Sequence, residues 1–327
     1  MKTPQFWQGD SKSLMPALLT PAAWLYGGIS RCHRALQKSA RVSTPVICVG
    51  NVVAGGAGKT PVAVEIARMF LTEGKNPHFL SRGYGGSLTG PTRVVLDVHS
   101  FREVGDEPLI LAETAPTWIA KDRVAGARAA TEAGADVIIM DDGFQNPSLE
   151  KDLSLLVLDA GYGVGNGRLI PAGPLRETLA AGLRRANAVV LVGNITDNDI
   201  KNQLNNFKPV FNATIVPRAS SAGISGEKVV AFAGIGRPEK FFTSLREAGC
   251  ELIECFSYAD HHIYNKDEIM NMVELGAAQN AALVTTRKDY VRLPVEAKMM
   301  VSVFDVDMAF ANPEMLRSLL LSVLKEG

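Results

Sequence analysis

The chain has 327 residues, with 34 basic and 34 acidic side chains, so its formal net charge is zero. A protein that binds nucleic acid through bulk positive charge would carry an excess of Lys and Arg, so any attraction to anionic partners must be local. The hydrophobic fraction of 46% and the four cysteines without a C-x-x-C pair favour a globular α/β enzyme in a reducing compartment over a disulfide-stapled secreted domain.

The first 41 residues combine an apolar run with basic residues. No charge lies between Ser13 and Ser30, and this run contains large apolar side chains, among them Leu14, Leu18, Leu19, Trp24, Leu25, Tyr26 and Ile29. Against a single Asp10, the segment carries six basic residues: Lys2, Lys12, Arg31, Arg34, Lys38 and Arg41. Prolines and glycines interrupt the run, and no A-x-A cleavage site follows it. We predict that residues 1–41 form a membrane-associated helical segment on an anionic surface; a spanning helix and a helix docked on the protein itself are the alternatives.

Residues 42–220 alternate between apolar runs and helical stretches. The predicted strands are Pro45–Gly50, His78–Ser81, Arg93–Val98, Thr117–Ala120, Val137–Asp141, Leu153–Asp159 and Ala188–Val192. The predicted helices are Pro61–Glu73, Pro108–Glu113, Val124–Ala133 and Leu175–Arg185. This alternation is typical of the α/β class, with a doubly wound, mostly parallel sheet covered on both faces.

A second series of elements begins near Gly226. It predicts strands at Lys228–Ala233, Glu251–Phe256, Ala281–Thr285 and Met299–Phe304, and helices at Pro238–Ala248, Lys266–Ala278 and Pro313–Leu324. We interpret residues 221–327 as a second, smaller α/β domain that closes over the active site. The small, polar segment Arg218–Ser225 is the predicted boundary.

A glycine-rich segment follows the first strand. Val46–Pro61 reads VICVGNVVAGGAGKTP, an apolar strand that leads through a glycine loop and Lys-Thr into a helix. Glycines let backbone N–H groups approach phosphates, and a helix N-terminus adds positive potential. This predicts a P-loop for ATP, with Lys59 on the β- and γ-phosphates and Thr60 on Mg²⁺; its predicted cofactor-binding residues are Gly55, Gly56, Ala57, Gly58, Lys59 and Thr60. Val53 departs from the usual pattern, which has glycine there.

Two acidic residues end another apolar strand. Val137–Met140 leads into Asp141 and Asp142, which is typical of a Walker B site for Mg²⁺ beside the P-loop strand. Adjacent residues of an extended strand point to opposite faces, so the two carboxylates should have different roles. We predict that Thr60, Asp141 and Asp142 form the metal site, and which of the two aspartates binds the metal stays open.

Several short motifs follow one another along the chain: GNVVAGGAGKTP, SRGYGG at Ser81–Gly86, VGDEP at Val104–Pro108, KDR at Lys121–Arg123, DDGFQN at Asp141–Asn146, RLIPAGPLRE at Arg168–Glu177, GIGRPEKFF at Gly234–Phe242, DHHIY at Asp260–Tyr264 and TTRKDYV at Thr285–Val291. In their order and spacing, these motifs resemble the tetraacyldisaccharide 4′-kinase family of lipid A synthesis. The resemblance implies transfer of the ATP γ-phosphoryl group to the 4′-hydroxyl of a tetraacyldisaccharide 1-phosphate, which forms lipid IVA. It also implies that the protein acts at the cytoplasmic face of the bacterial inner membrane. Its expected partners are the lipid disaccharide 1-phosphate substrate and the anionic membrane surface, and no nucleic acid is expected to bind.

The resemblance also implies catalytic residues. Asp106 of the GDEP motif would be the base that accepts the sugar hydroxyl proton, paired with His261 of the DH motif after domain closure. Without the family, an N-cap role for Asp106 is an equal alternative. Arg123 and Arg176 are predicted near phosphates, either the transferring γ-phosphate or the 1-phosphate of the acceptor.

Three further residues are predicted to contact substrate or shape the metal site: Tyr84, Gln145 and Asn146. A packed loop aromatic is the alternative for Tyr84. The family usually has His where this chain has Asn146, and because an amide cannot carry charge, only a positioning role is expected there.

Two other functions remain as alternatives. A membrane-associated regulatory ATPase of the deviant Walker type would carry a signature lysine before the two glycines, where this chain has Ala54. A non-catalytic nucleotide-binding module that tethers partners to membranes would have no need for Asp106 and His261.

Overall fold

The computed structural model describes residues 4–8, 13–194, 198–204, 207 and 209–324. Its strands are β1 Val46–Gly50, β2 Pro77–Ser81, β3 Thr92–Arg93, β4 Thr117–Ile119, β5 Val137–Asp141, β6 Leu153–Asp159, β7 Ala188–Val192, β8 Val210–Pro217, β9 Lys228–Ala233, β10 Glu251–Ser257, β11 Ala282–Thr285, β12 Ser302–Val303 and β13 Val306–Phe310. Its α-helices are α1 Met15–Leu18, α2 Thr20–Leu36, α3 Lys59–Thr72, α4 Phe101–Val104, α5 Asp106–Ala112, α6 Arg123–Glu132, α7 Leu179–Leu183, α8 Asn198–Leu204, α9 Pro238–Glu247, α10 Lys266–Gln279, α11 Arg287–Tyr290, α12 Val295–Lys298 and α13 Pro313–Ser322.

The chain forms two compact units. Of the described residues, those in the ranges 4–214 and 308–324 form the larger unit, and residues 215–307 form the smaller unit. The predicted division assigned everything after residue 220 to the second domain, and for the C-terminal segment this is wrong. Strand β13 joins β8 at the edge of the larger unit's sheet, and α13 buries Leu316 and Leu320 in its core. Apolar surface on a terminal helix is covered wherever a complementary face exists, and here that face belongs to the larger unit.

A nine-stranded sheet organises the larger unit. Its order is β13-β8-β7-β6-β1-β5-β2-β4-β3. Neighbouring strands from β8 to β4 in this order are parallel, whereas β3 runs antiparallel to β4. Strands β1, β5, β6 and β7 are buried along their whole length, as strands covered on both faces must be. The predicted mixed α/β class with a large, mostly parallel sheet is confirmed.

The central strand β1 marks the point where the strand order reverses. Strand β5 pairs with one of its edges and β6 with the other, and later strands continue outwards from β6. In open α/β sheets, ligands bind beyond the carboxyl ends of strands at such a reversal. The glycine-rich loop follows β1, and the Asp141–Asp142 pair stands at the carboxyl end of β5, so the topology brings the two together.

The smaller unit contains a four-stranded parallel sheet in the order β10-β9-β11-β12. Helix α9 covers one face with Phe241 and Phe242, and α10 covers the other with Ile269 and Met272. Helix α10 begins with a capping box, because Asn265 accepts the Glu268 N–H and Glu268 accepts the Asn265 N–H.

The described part of the N-terminal segment docks on the larger unit along one face. Ala23 and Gly27 of α2 are buried, and a Cβ at Gly27 would lie 2.7 Å from Leu169 Cδ1, so a larger residue at position 27 would require the Leu169 side chain to move. The opposite face leaves large apolar side chains exposed, including Leu18, Trp24, Leu25 and Ile29. Within the described residues, every helix is too short or too polar to cross a bilayer.

Three predicted elements differ from the observed ones. The predicted strand Arg93–Val98 does not form beyond Arg93, which ends the two-residue strand β3, and of the predicted strand Met299–Phe304 only β12 forms. The predicted helix Leu175–Arg185 shrinks to α7 because Leu175 instead forms isolated bridges with Val53 and Leu169. Strands β8 and β13 were not predicted; β8 alternates buried and exposed residues only weakly.

Candidate active site

The glycine-rich loop, residues 51–58, connects β1 to α3. Gly55 and Gly58 have φ angles of +115° and +83°, a backbone region that favours glycine. A Cβ at Gly55 or Gly56 would meet nothing within 4 Å, so both glycines border open space. Gly58 is the N-cap of α3, and the backbone N–H groups of the first turn therefore face the loop.

Val53 occupies the position where glycine was expected, and the structure supplies the reason. It is 6% exposed and forms an antiparallel bridge with Leu175. On either side, Ala54 N donates to Pro174 O at 2.7 Å and Arg176 N donates to Val52 O at 2.7 Å. This short ribbon anchors the start of the loop, and a buried β-branched residue suits it better than glycine does.

The first two residues of α3 contact the acidic pair after β5. Thr60 Oγ1 donates to Asp141 Oδ2 at 3.2 Å, and Lys59 Nζ lies 3.7 Å from Asp142 Oδ1. Asp142 has a φ of +53°, which turns the chain sharply after the strand. The two neighbouring carboxylates therefore contact different residues. The turn at Asp142, just beyond the end of β5, directs its side chain rather than the alternation of an extended strand.

Asp141 is the more deeply buried carboxylate, at 2% exposed. Burial, with the negative charge of Glu107 as the next cause, raises the pKa of Asp141 to about 7. Lys59 and the Thr60 hydroxyl oppose this shift. Its Oδ1 is buried with no hydrogen-bond partner among the described residues. A buried carboxylate oxygen without a donor is suited to meet a cation.

Asp142 lies between two cations. Burial alone would raise the pKa of Asp142, but Lys59 and Arg176 more than offset burial, so the pKa is lowered. Arg176 Nη1 donates to Asp142 Oδ1 at 2.8 Å and to Oδ2 at 3.0 Å. Asp142 is therefore ionised at neutral pH and holds Arg176 beside the loop.

A chain of polar contacts continues from Arg176. The same Nη1 donates to Gln145 Oε1 at 3.2 Å, and Gln145 Nε2 donates to Asn51 O at 2.7 Å and to Glu177 Oε1 at 3.1 Å. Glu177 is 3% exposed and also accepts hydrogen bonds from Arg34 and Arg185. Gln145 thus bridges the start of the glycine-rich loop and the arginine that binds Asp142.

Asp106 begins α5 and is 4% exposed. Its Oδ1 accepts the Glu107 N–H at 2.9 Å, so the carboxylate lies at the helix N-terminus although Gly105 is the N-cap. The loop before it packs tightly on the Tyr84 loop: a Cβ at Gly105 would lie 2.5 Å from Tyr84 O. The Tyr84 side chain itself is 65% exposed, which disfavours the packed-aromatic alternative.

Arg123 is the first residue of α6 and is 4% exposed. Burial, followed by the charge of Arg82, lowers the pKa of Arg123 to about 10, against the attraction of Asp142 and Asp141. Its Nη1 donates to Ala120 O, and its Nε is buried with no hydrogen-bond partner among the described residues. A desolvated cation of this kind is suited to meet an anion.

The family model for tetraacyldisaccharide-1-P 4′-kinase matches residues 15–325. The chain belongs to this family. Two curated tetraacyldisaccharide 4′-kinases are similar throughout: that of Paramagnetospirillum magneticum is 47% identical over 319 residues, 98% of each chain, and that of Rhodospirillum centenum is 47% identical over 331 residues, 99% of this chain and 97% of the relative.

A solved structure also resembles this family member. The crystal structure of LpxK from Aquifex aeolicus, described in complex with ATP, matches with a TM-score of 0.76 and 27% identity. The match covers 95% of this chain and 99% of the other. The family resemblance inferred from the motifs is therefore confirmed.

The structure brings five of the predicted site residues of this tetraacyldisaccharide 4′-kinase family member together and places Asn146 apart from them. Lys59, Thr60, Asp141, Asp142 and Arg176 contact one another around the glycine-rich loop. Asn146 is engaged elsewhere, because its Oδ1 accepts the Ser148 N–H and hydroxyl at 3.1 and 2.8 Å.

His261 belongs to the smaller unit. It has a φ of +60°, and its backbone N–H donates to Gly234 O at 3.1 Å. Its Nε2 lies 3.8 Å from Asp260 Oδ1, which is also 3.7 Å from Lys288 Nζ. The pairing of His261 with Asp106 stays a prediction.

Two residues of the site were missed by sequence reasoning. Glu107 acts on the charge state of Asp141, and Glu177 binds Gln145. Glu107 directly follows Asp106 in the GDEP motif, and Glu177 directly follows Arg176 in the PLRE motif. Pattern alone offered no sign of which neighbour each would face.

Proposed function

We propose that this chain is an ATP-dependent kinase that phosphorylates the 4′-hydroxyl of a tetraacyldisaccharide 1-phosphate and thereby forms lipid IVA in lipid A biosynthesis. Its membership of the tetraacyldisaccharide 4′-kinase family supports this activity. The observation that carries the assignment to a site is the contact of Lys59 and Thr60 with Asp142 and Asp141 beyond the carboxyl ends of β1 and β5. No nucleic acid takes part in the proposed reaction.

The glycine-rich loop would bind the ATP phosphates as a P-loop. The open space beside Gly55 and Gly56 and the N-terminus of α3 support this role, because backbone N–H groups and the helix dipole attract anions. The Lys59 ammonium, whose side chain is 10% exposed, would bring a largely desolvated positive charge to the β- and γ-phosphates.

The residues around Thr60 fit Mg²⁺. Among the described residues, no three His, Cys, Asp or Glu side chains cluster as a metal site of their own. Mg²⁺ is typically bound by one or two carboxylates together with phosphates of the substrate. Here the Thr60 hydroxyl and Asp141 Oδ1, which has no hydrogen-bond partner among the described residues, would be the protein ligands, and ATP would supply the phosphate oxygens. When bound, Mg²⁺ would neutralise phosphate charge during transfer. Asp142, already held by Lys59 and Arg176, would orient those cations.

Proton transfer would involve Asp106. A buried carboxylate at the start of α5 can accept the proton that the attacking hydroxyl loses, and Arg123 would add positive charge toward the transferring phosphoryl group. His261 would orient Asp106 when the substrates are bound. Tyr84, exposed on the neighbouring loop, would contact the acceptor.

The N-terminal helices would attach the protein peripherally to the cytoplasmic face of the inner membrane, where the acylated acceptor lies. Leu18 and Trp24, each 73% exposed, and Ile29, 61% exposed, form an apolar surface on α1 and α2. Arg31, in the C-terminal half of α2, and Lys38, just after this helix, are also exposed. An apolar surface beside cations suits the boundary of an anionic leaflet, where an acylated substrate lies.

The test is direct phosphorylation. The purified chain is incubated with γ-³²P-ATP, MgCl₂ and tetraacyldisaccharide 1-phosphate in anionic phospholipid vesicles, and lipids are separated by thin-layer chromatography. We expect label on a bisphosphorylated lipid, absent with Lys59→Met. ATP hydrolysis without labelled lipid would contradict the kinase and favour the regulatory ATPase alternative.

A further inference from the structure

The N-terminal helix α2 contacts the interior of the site through one residue. Arg34 Nη1 donates to Glu177 Oε2 at 2.9 Å, across 143 residues of sequence. The Arg34 side chain is 21% exposed and that of Glu177 only 3%, so this ion pair differs from a solvated surface pair. Removing one partner of a buried pair leaves the other charge incompletely compensated.

Glu177 has every acceptor position filled. Arg185 binds both of its oxygens as a fork, with Nη1 on Oε2 at 2.7 Å and Nη2 on Oε1 at 2.6 Å. Arg34 adds a second donor on Oε2, and Gln145 adds a second donor on Oε1. An ionised carboxylate accepts about four hydrogen bonds, so the geometry of Glu177 is fully specified.

This carboxylate determines which way the Gln145 amide points. Gln145 Nε2 faces two acceptors, Glu177 Oε1 and Asn51 O, and its Oε1 faces the donor Arg176 Nη1. A flipped amide would put an oxygen against two acceptors and an NH₂ against a guanidinium. Glu177 therefore stabilises the only amide orientation that supports Arg176 against Asp142.

We propose that Glu177 is a positioning residue that links helix α2, through Arg34, to the orientation of Arg176 and Asp142. The link runs from Arg34 to Glu177, Gln145, Arg176 and Asp142, each step a hydrogen bond of 3.2 Å or less. Helix α2 carries the exposed apolar surface, so the element that would meet the membrane also supports the site. This inference rests on the proposed kinase activity.

The test compares steady-state kinetics of four single variants in mixed micelles. Glu177→Gln should lower kcat by about 10-fold or more, as is typical when a supporting partner of a site is lost, with a smaller change in the KM of ATP. Arg34→Gln should lower kcat less, because Arg185 remains. Arg34→Lys should recover kcat, since a single donor reaches Oε2.

The matched control is Arg317→Gln, which removes an arginine from the 3.3 Å pair with Glu73 beyond the far end of α3, and should leave kcat unchanged. A double variant, Arg34→Gln with Glu177→Gln, should match Glu177→Gln alone, because coupled residues are not additive. Thermal midpoints verify that each variant is folded.

Wild-type kcat in folded Glu177→Gln, or additive losses in the double variant, would overturn the link. Neither result would touch the proposed function, which fails only if the wild-type chain itself does not phosphorylate the lipid.

Discussion

The Thr60 hydroxyl donates to Asp141 Oδ2 at 3.2 Å, although the two residues are 81 positions apart in the chain. The contact exists because β1 and β5 are neighbours in the sheet and Thr60 begins the helix that follows β1. It leaves Asp141 Oδ1 as the oxygen without a donor. Removing the hydroxyl should therefore affect the proposed metal-dependent step more than the fold.

Thr60→Val should lower kcat by about 100-fold and raise the Mg²⁺ concentration needed for half-maximal activity, because one oxygen ligand is lost at nearly constant side-chain volume. ATP affinity without metal should change little. Thr72→Val is the control: its hydroxyl donates to Met69 O at the other end of the same helix. Equal losses in both variants would indicate damage to α3 rather than loss of a ligand.

Asp141→Asn should stabilise the protein when no nucleotide is bound. Folding raises the pKa of Asp141 to about 7, so its ionisation lowers stability as pH rises from the unfolded value near 4 through 7. At pH 8 the substitution should raise the free energy of unfolding by roughly 4 kcal/mol, the equivalent of about three pKa units, with little gain at pH 4. Urea unfolding at both pH values measures this. A gain that did not grow with pH would contradict the assignment of a buried, costly charge.

Activity should fall as pH decreases below about 7, because Asp141 must be ionised to meet a metal ion. Glu107 raises the pKa of Asp141 through its negative charge, so Glu107→Gln should move the acid limb of kcat/KM to lower pH. The measurement is the full pH profile of kcat/KM, because only the profile separates a shift of the acid limb from a lower plateau of kcat/KM. An acid limb that stays in place would remove Glu107 from the electrostatics of the site.

Asp106→Asn should lower kcat by about 100-fold or more, the usual range for loss of a general base, with the KM of ATP largely retained. Asp122→Asn is a matched control, because Asp122 accepts the Val124 and Ala125 N–H groups at the start of α6 and asparagine is an equally good N-cap. Near-wild-type turnover of Asp106→Asn would leave helix capping as the role of Asp106.

Trp24→Ser and Leu18→Gln should release the protein from anionic vesicles, because each removes an exposed apolar side chain from the surface on α1 and α2. Point substitutions are preferable to deleting residues 1–41, which would also remove Arg34 from Glu177. Val98→Gln, at a site 70% exposed elsewhere in the larger unit, is the control. Sedimentation that is equal for all three variants would argue against membrane contact through this surface.

Much of the fold could be predicted from local patterns. The apolar runs at β1, β5, β6 and β7 are continuous because both faces of those strands are covered, and helix α3 follows directly from the glycine-rich loop. Strand β13 escaped prediction because its residues are mostly half-exposed at the sheet edge, where the apolar signal is weak.

The sequence by itself determined the family, the α/β class and the two chemical segments, because each depends on a short run of residues: a strand that ends in a glycine-rich loop with Lys59 and Thr60, and a strand that ends in two acids. Only the tertiary structure decided that Asp141 faces Thr60 while Asp142 faces Lys59 and Arg176, and that Glu177 joins Arg34 to Gln145. Those partners are decided by which strands become neighbours and by hydrogen-bond geometry across more than 30 residues of chain, and no local periodicity encodes either.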